Sequence, residues 1–398
     1  MTRASRRLRV ALVTETYAPE INGVAMTLGR LAAGLAARGH RVRVVRPRQK
    51  QEKTGVLPDG SLLTPGLPIP RYPDLRFGMP VAGQLRRAWL AQRPDIVHIA
   101  TEGPLGFSAL ATARQLGIPV MSTFHTNFHS YSRHYGIGWL RRGIEGYLRW
   151  FHNRTVATLV PTAVLATELG AQGFRGVSVL SRGVDTTLFN PARRSPHLRS
   201  RWDARAGDPV CIVVSRLAPE KNLDLAFTAF AAIRAEWPNA RMVCVGDGPQ
   251  AETLARRNPD VHFSGMRQGE DLAAHYASAD LFLFPSLTET FGNVVSEALA
   301  SGLPIVAYDH AAAGHLVVNG HNGWLAAPGD APGFIAASRR AVRDLAQRDG
   351  TRGACVDSVR PLGWERIHEA YAAMLEAIVA RQENAPVDGG LAIHLAPD

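Results

Sequence analysis

One short stretch constrains this 398-residue chain more than any other. Residues 281–284, LFLF, form an uninterrupted apolar run, and SLTETFGNVVSEALA follows at 286–300. The run reads as a strand, Phe291-Gly292-Asn293 as a turn, and the remainder as a helix. A strand end, a glycine-bearing turn and a helix start aim backbone N–H groups and the positive end of a helix dipole at one spot, which suits a phosphate. Two carboxylates, Glu289 and Glu297, flank that spot with seven residues between them. Glu297 stands roughly 7–8 Å along the helix and Glu289 up to roughly 10 Å before it, so the pair spans a ligand about 15 Å long. Acids do not bind phosphate; hydroxyls suit them. A phosphate between two hydroxyl-bearing groups describes a nucleotide-sugar, although a plain surface loop with a first-turn acid matches this stretch alone.

A second apolar run at 210–214 ends in Ser215-Arg216-Leu217-Ala218-Pro219-Glu220-Lys221-Asn222, ahead of an amphipathic helix over 223–236. Arg216 and Lys221 would project from the carboxyl end of a parallel strand, where open α/β sheets bind ligands. Lysine occurs only at Lys50, Lys53 and Lys221, against a great excess of arginine, so a compact ammonium at this place is a chemical choice. The Arg-x4-Lys pair, followed by Glu-x7-Glu with Phe-Gly between, resembles the retaining GT-B glycosyltransferases of family 4. That group includes α-mannosyltransferases using GDP-mannose and enzymes that build membrane glycolipids. The resemblance runs from about residue 9 to about residue 379.

The resemblance implies an α/β chain of two Rossmann-like, doubly wound domains facing a cleft, with a C-terminal helix crossing back to the first. It gives residues roles. Arg216 and Lys221 would face the departing diphosphate, Glu289 the donor-sugar hydroxyls, and Glu297 the ribose hydroxyls. Phe291, Gly292, Asn293 and Val294 would meet sugar and phosphates, and Met266 the base through main-chain groups. Asn22-Gly23 matches the glycine loop facing the donor, and His125 lies beside the sugar. Catalytic candidates are therefore His125, Arg216, Lys221 and Glu289. The nucleotide-sugar is a co-substrate and no cofactor is expected. Two cations and a helix N-terminus can replace a divalent metal, and Asp224, Asp247, Asp271 and Asp280 are scattered singly, so metal-independent transfer is expected.

Alternation of apolar runs with 3.6-period segments reads as parallel sheet in both halves. Expected strands include 9–13, 42–45, 96–99, 120–124, 158–161 and 177–180, then 210–214, 242–245, 261–263, 281–284 and 304–307. We expect domains over 1–188 and 189–362, a returning helix over 363–381 and a mobile tail over 382–398. Residues 57–76, rich in Pro and Gly, read as an irregular loop or short strands. The arginine-rich stretch 192–208 reads as a polar separator. Gly246-Asp247-Gly248-Pro249 reads as a turn of minor importance. No Gly-x-Gly-x-x-Gly follows the first strand and no Gly-x4-Gly-Lys-Ser/Thr occurs, which argues against a nicotinamide dehydrogenase and a P-loop NTPase.

With 46% hydrophobic and 20% charged residues the chain is of ordinary globular type, and no apolar run approaches membrane-spanning length. The basic start followed by a four-residue apolar run is too short for a signal peptide, so a cytoplasmic location is expected. Cys211, Cys244 and Cys355 have neither pairing number nor metal spacing. A formal charge of +11 admits an anionic membrane surface as a partner; nucleic acid is not expected, since no recognition motif occurs. A helical region over 137–154 places Leu140, Ile144, Tyr147, Leu148 and Phe151 on one face, Arg142 and Arg149 opposite, and Trp139 and Trp150 on a flank. That pattern suits either a helix lying on a membrane, with a lipid or glycan acceptor and peripheral attachment, or a helix packed on the core. Rival functions are a nucleotide-sugar 2-epimerase or hydrolase, a UDP-sugar-dependent diacylglycerol glycosyltransferase, and a silent nucleotide-sugar binder.

Overall fold

The computed structural model describes residues 6–20, 22–69, 72–125, 141–347 and 350–384. The apolar runs become strands because they are buried on both faces, the condition of a parallel sheet covered by helices. The first lobe holds β1 (Arg9–Val13), β2 (Arg41–Pro47), β3 (Gly55–Val56), β4 (Leu62–Thr64), β5 (Gly66–Ile69), β6 (Tyr72–Gly78), β7 (Ile96–Ile99), β8 (Val120–Thr123), β9 (Ala157–Val160) and β10 (Val177–Val179). Its helices are α1 (Gly23–Ala37), α2 (Ala82–Ala91), α3 (Pro104–Gln115), α4 (Arg141–His152) and α5 (Ala163–Ala171). Eight strands form one sheet in the order β10-β9-β8-β7-β1-β2-β4-β3, and β5 and β6 make a separate hairpin. All pairs in the large sheet are parallel except β3 with β4.

The second lobe is an all-parallel six-stranded sheet, β13-β12-β11-β14-β15-β16. Its strands are β11 (Val210–Val214), β12 (Arg241–Val245), β13 (His262–Gly265), β14 (Leu281–Phe284), β15 (Ile305–Tyr308) and β16 (Gly323–Ala326). The helices around it are α6 (Pro196–Arg201), α7 (Leu223–Glu236), α8 (Ala251–Arg257), α9 (Gly269–Ser278), α10 (Asn293–Ala300), α11 (Ala311–Leu316), α12 (Ala331–Leu345) and α13 (Thr351–Val359). Strand periodicity divides β11 between two cores. Val210, Ile212 and Val214 pack on one side with Phe282 and Val295; Cys211 and Val213 pack on the other with Phe227 and Phe230. The two cysteines on β11 and β12 are thus small core residues, and burial pushes the Cys244 thiol up to about 12.

A final helix, α14 (Trp364–Glu383), leaves the second lobe and joins the core of the first, where Ile367, Tyr371, Leu375 and Val379 pack with Leu8, Val10, Leu31 and Leu35. Its Tyr371 hydroxyl meets His98 Nδ1 on β7 at 2.5 Å. The helix carries Gln382 and Glu383, which the sequence reading assigned to the tail; residues 385–398 lie outside the described residues.

Residues 57–76 hold the short strands β4 and β5 and the start of β6, one of the two forms their Pro- and Gly-rich sequence allows. The arginine-rich separator is anchored: Arg194 and Arg199 each reach Asp280 at 2.8 Å, and Arg352 reaches it at 2.9 Å. Burial pushes the Asp280 carboxyl up, but Arg194 and Arg199 beside it outweigh that and hold it below the usual carboxylate range. Most of the apolar face of α4 turns inward: Leu148 and Phe151 are core residues and Ile144 packs beside them, while Tyr147 of the same stripe is exposed. Trp139 and Leu140 lie outside the described residues.

Candidate active site

Between the lobes, at the carboxyl ends of β11 and β14, lies a cavity of about 380 Å3. It brings together Asn22 and Gly23 at the start of α1, His125 after β8, Arg216 and Lys221 after β11, and Glu289, Phe291, Gly292, Asn293 and Val294 after β14. These are ten of the twelve residues singled out from the sequence. Glu297 and Met266 do not line it. Met266 is exposed just past β13. Glu297 sits one turn along α10, where the Tyr276 hydroxyl donates to it at 3.1 Å.

Each element presents its residue for a local reason. Asn22 caps α1: its Oδ1 accepts from the Val24 and Ala25 N–H groups at 3.1 and 2.9 Å. That fixes Gly23 at the first helical position, where a Cβ would stand 3.6 Å from both Arg182 Nη1 and Asn293 Nδ2. A methyl group would therefore be tolerated sterically, and the glycine keeps space open in the cleft. Gly292 precedes α10 with φ +90, a left-handed conformation that costs an L-residue roughly 1–2 kcal/mol. Its N-cap is a glycine and offers no side-chain acceptor, so first-turn N–H groups are left at the cavity, which Asn293 and Val294 line.

The Arg216 loop is held by a turn to which the sequence reading gave a minor role. The Leu217 N–H donates to Asp247 O at 2.9 Å, and the Gln250 N–H to Leu217 O at 3.0 Å. A Cβ on Gly246 would lie 1.8 Å from Ser215 O, so only glycine lets the two loops touch. Lys221 does not wait unpaired. Its Nζ donates to Glu289 Oε1 at 2.5 Å, and the Ser286 hydroxyl donates to the same oxygen at 2.9 Å. The cation and the acid thus position one another before any ligand arrives.

Burial pushes the Glu297 carboxyl up to about 7, against the lowering effect of Tyr276. His125 is held neutral: burial, then the Arg182 charge, lower its pKa well below the usual histidine value. Thr290 on the second lobe donates to His125 O at 3.0 Å. Sequence reasoning missed Arg182, a buried cation that lines the cavity. Its position just after a parallel strand end was the available signal. Among the described residues no cluster of His, Cys, Asp or Glu could hold a metal ion.

Comparison with known proteins agrees with this geometry. Residues 21–188 match the profile described as Glycosyltransferase Family 4, and residues 208–344 match Glycosyl transferases group 1. The chain is 34% identical over 383 residues to a GDP-mannose-dependent alpha-mannosyltransferase of Mycolicibacterium smegmatis, covering 94% of this chain and 99% of that protein. The chain belongs to the family 4 glycosyltransferases. As a family 4 enzyme it is also 27% identical to the alpha-monoglucosyldiacylglycerol synthase of Streptococcus pneumoniae, over 94% of this chain and 87% of that one. In fold it is similar to the Anabaena protein Alr3699/HepE solved with UDP, with a TM-score of 0.72 and 19% identity, covering 93% and 100% of the two chains. Two parallel-sheet lobes, a returning helix and a cleft between them are the GT-B architecture.

Proposed function

We propose that this family 4 enzyme transfers mannose from GDP-mannose to an acceptor hydroxyl with retention of configuration and without a metal ion. The observation that carries the reading is the convergence of Arg216, Lys221, the α10 N-terminus and Glu289 on one cavity. Breaking the bond between anomeric carbon and phosphate builds positive charge on the sugar and negative charge on the departing diphosphate. Arg216, Lys221 and the helix N–H groups stabilise the second charge from fixed positions, so little reorganisation accompanies the reaction. Glu289 accepts from sugar hydroxyls, and Lys221 orients that carboxylate from its other side. Glu297 holds the ribose hydroxyls. Gly23 and Asn293 leave room for the sugar, and the Met266 segment meets the base. The choice of GDP-mannose is supported by the mannosyltransferase relative named above.

The acceptor belongs to a membrane surface in this reading. Phe107, Tyr147 and Trp150 are exposed and stacked, with ring centroids 5.7 and 6.1 Å apart. Arg154 lies over Trp150, 4.1 Å from the ring centroid. Exposed aromatics beside arginines suit the boundary of an anionic bilayer. The glucosyldiacylglycerol synthase relative supports a lipid acceptor. Among the described residues no helix is long and apolar enough to cross a membrane.

Labelled GDP-mannose and UDP-glucose, each with and without lipid extract and with and without EDTA, test the proposal. Lipid-dependent transfer from GDP-mannose that survives EDTA is expected. Preference for UDP-glucose overturns the donor, free-nucleotide release without acceptor overturns transfer, and loss in EDTA overturns metal independence. A protein that ignores anionic liposomes at low salt overturns the membrane acceptor.

A further inference from the structure

Arg182 joins the two lobes at the cleft. It follows β10 on the first lobe, is buried, and its guanidinium has a defined set of partners among the described residues. Nη2 lies 3.3 Å from His125 Nδ1, and Nη1 lies 3.5 Å from Asn293 Oδ1 at the start of α10. The guanidinium also lies 5.8 Å from the Phe291 ring centroid, on the second lobe. Nothing in the proposed mechanism has yet used it.

A guanidinium carries donors and no acceptor. Burial lowers the Arg182 pKa to about 10, which leaves it charged at neutral pH. The nitrogen facing it, His125 Nδ1, must therefore accept, and a neutral imidazole that accepts at Nδ1 carries its proton on Nε2. His125 Nε2 is buried and has no hydrogen-bond partner among the described residues, and His125 is one of the residues that line the cavity. The same logic fixes the Asn293 amide. Its oxygen faces the guanidinium, so its NH2 group is turned the other way, and Gly23 bounds that space.

We propose that Arg182 is a positioning residue that holds His125 as the neutral Nε2–H tautomer and orients the Asn293 amide, so that one N–H donor from each lobe serves oxygen atoms of the bound donor. The reading of those oxygens as a sugar and its phosphate rests on the proposed transfer reaction. The tautomer itself does not, because it exists in the free protein. Among the described residues, the charged or titratable groups that act on His125 are Arg182, His98 on β7 and His152 on α4, and the Thr290 hydroxyl donates to its backbone carbonyl. Burial lowers His98 to about 3, so at neutral pH it adds no charge. The device also links chemistry to lobe geometry: both Arg182 contacts exist together only when the lobes stand as they do here.

Long-range 1H–15N spectra of the free protein labelled at histidine nitrogens test this, with His125→Gln used to assign the signal. Wild type is expected to show His125 protonated at Nε2 alone and without an imidazolium between pH 6 and 8. Arg182→Met is expected to let the Nδ1–H form appear and to lower kcat about 10–100-fold, with donor KM moving less than about threefold, as loss of orientation does. Arg182→Lys, which keeps a donor, is expected to recover part of both. A wild-type His125 protonated at Nδ1 or on both nitrogens overturns the proposal, as does Arg182→Met with an unchanged spectrum and kcat. If Arg182→Met fails to fold, the wild-type spectrum still decides. If no sugar donor is turned over, the proposed reaction fails, whereas the tautomer is judged by the spectrum alone.

Discussion

Glu297 shows how a residue's burial sets its use. Its carboxyl titrates near 7 in the folded protein because burial disfavours the charge, against an ordinary value of 4.5. A raised folded pKa means that the contribution to stability is fully present below 4.5 and is lost as pH rises through about 7. Glu297→Gln should therefore flatten the fall in unfolding free energy between pH 4.5 and about 7, read from urea midpoints at each pH. If the carboxylate accepts ribose hydroxyls, binding favours its charged form and should release a proton near pH 7. Calorimetry of GDP binding in two buffers of different ionisation enthalpy measures that release; its absence would remove Glu297 from the ribose site. Arg216 belongs to the same scale. Arg216→Ala should cost about 10²–10³ in kcat, as removal of one donor to a developing anion does, with little change in thermal midpoint. Undiminished turnover would end the role given to it.

At the scale of elements, the site is built from loops that other loops hold. The Arg216 loop is shaped by the Gly246 turn, whose φ of +135 and 1.8 Å Cβ approach to Ser215 O leave room for no side chain. Gly246→Ala must displace the Arg216 loop or the turn. It should raise donor KM and lower kcat together by at least about tenfold, because small misplacement of a charged group is costly. Steady-state kinetics with varied GDP-mannose would show it; a variant altered in stability alone would count against this coupling. The α4 helix teaches the opposite lesson. An apolar stripe opposite arginines is compatible with a bilayer or with a core, and the stripe is spent on Leu148 and Phe151 in the core. Tyr147 of the stripe and Trp150 of the flank are exposed and remain for a surface partner.

For the whole molecule, α14 ties chain end to chain start. Leu375 is fully buried among first-lobe residues, although the second lobe lies between them in sequence. Leu375→Ala should destabilise by about 2–5 kcal/mol. The loss should fall on the transition of the first lobe, followed by fluorescence and by proteolysis of its segments in urea. A uniform shift of a single transition would instead show the lobes unfolding as one.

How much of this was legible beforehand follows from the range of each interaction. Strand and helix identity, the parallel sheets and the clusters at 215–222 and 286–297 could be read because periodicity and turn chemistry act over a few neighbours. Long-range pairing could not. Lys221 meets Glu289 across 68 positions, and Arg182 meets His125 across 57 and Asn293 across 111. No local pattern marks such partners. The separator arginines Arg194 and Arg199 meet Asp280 across 86 and 81 positions. By itself the sequence determined which residues could carry charge, hydroxyl recognition and close backbone approach. Only the tertiary structure decided which faces were buried and which cation met which acid, because those follow from packing among residues far apart in the chain.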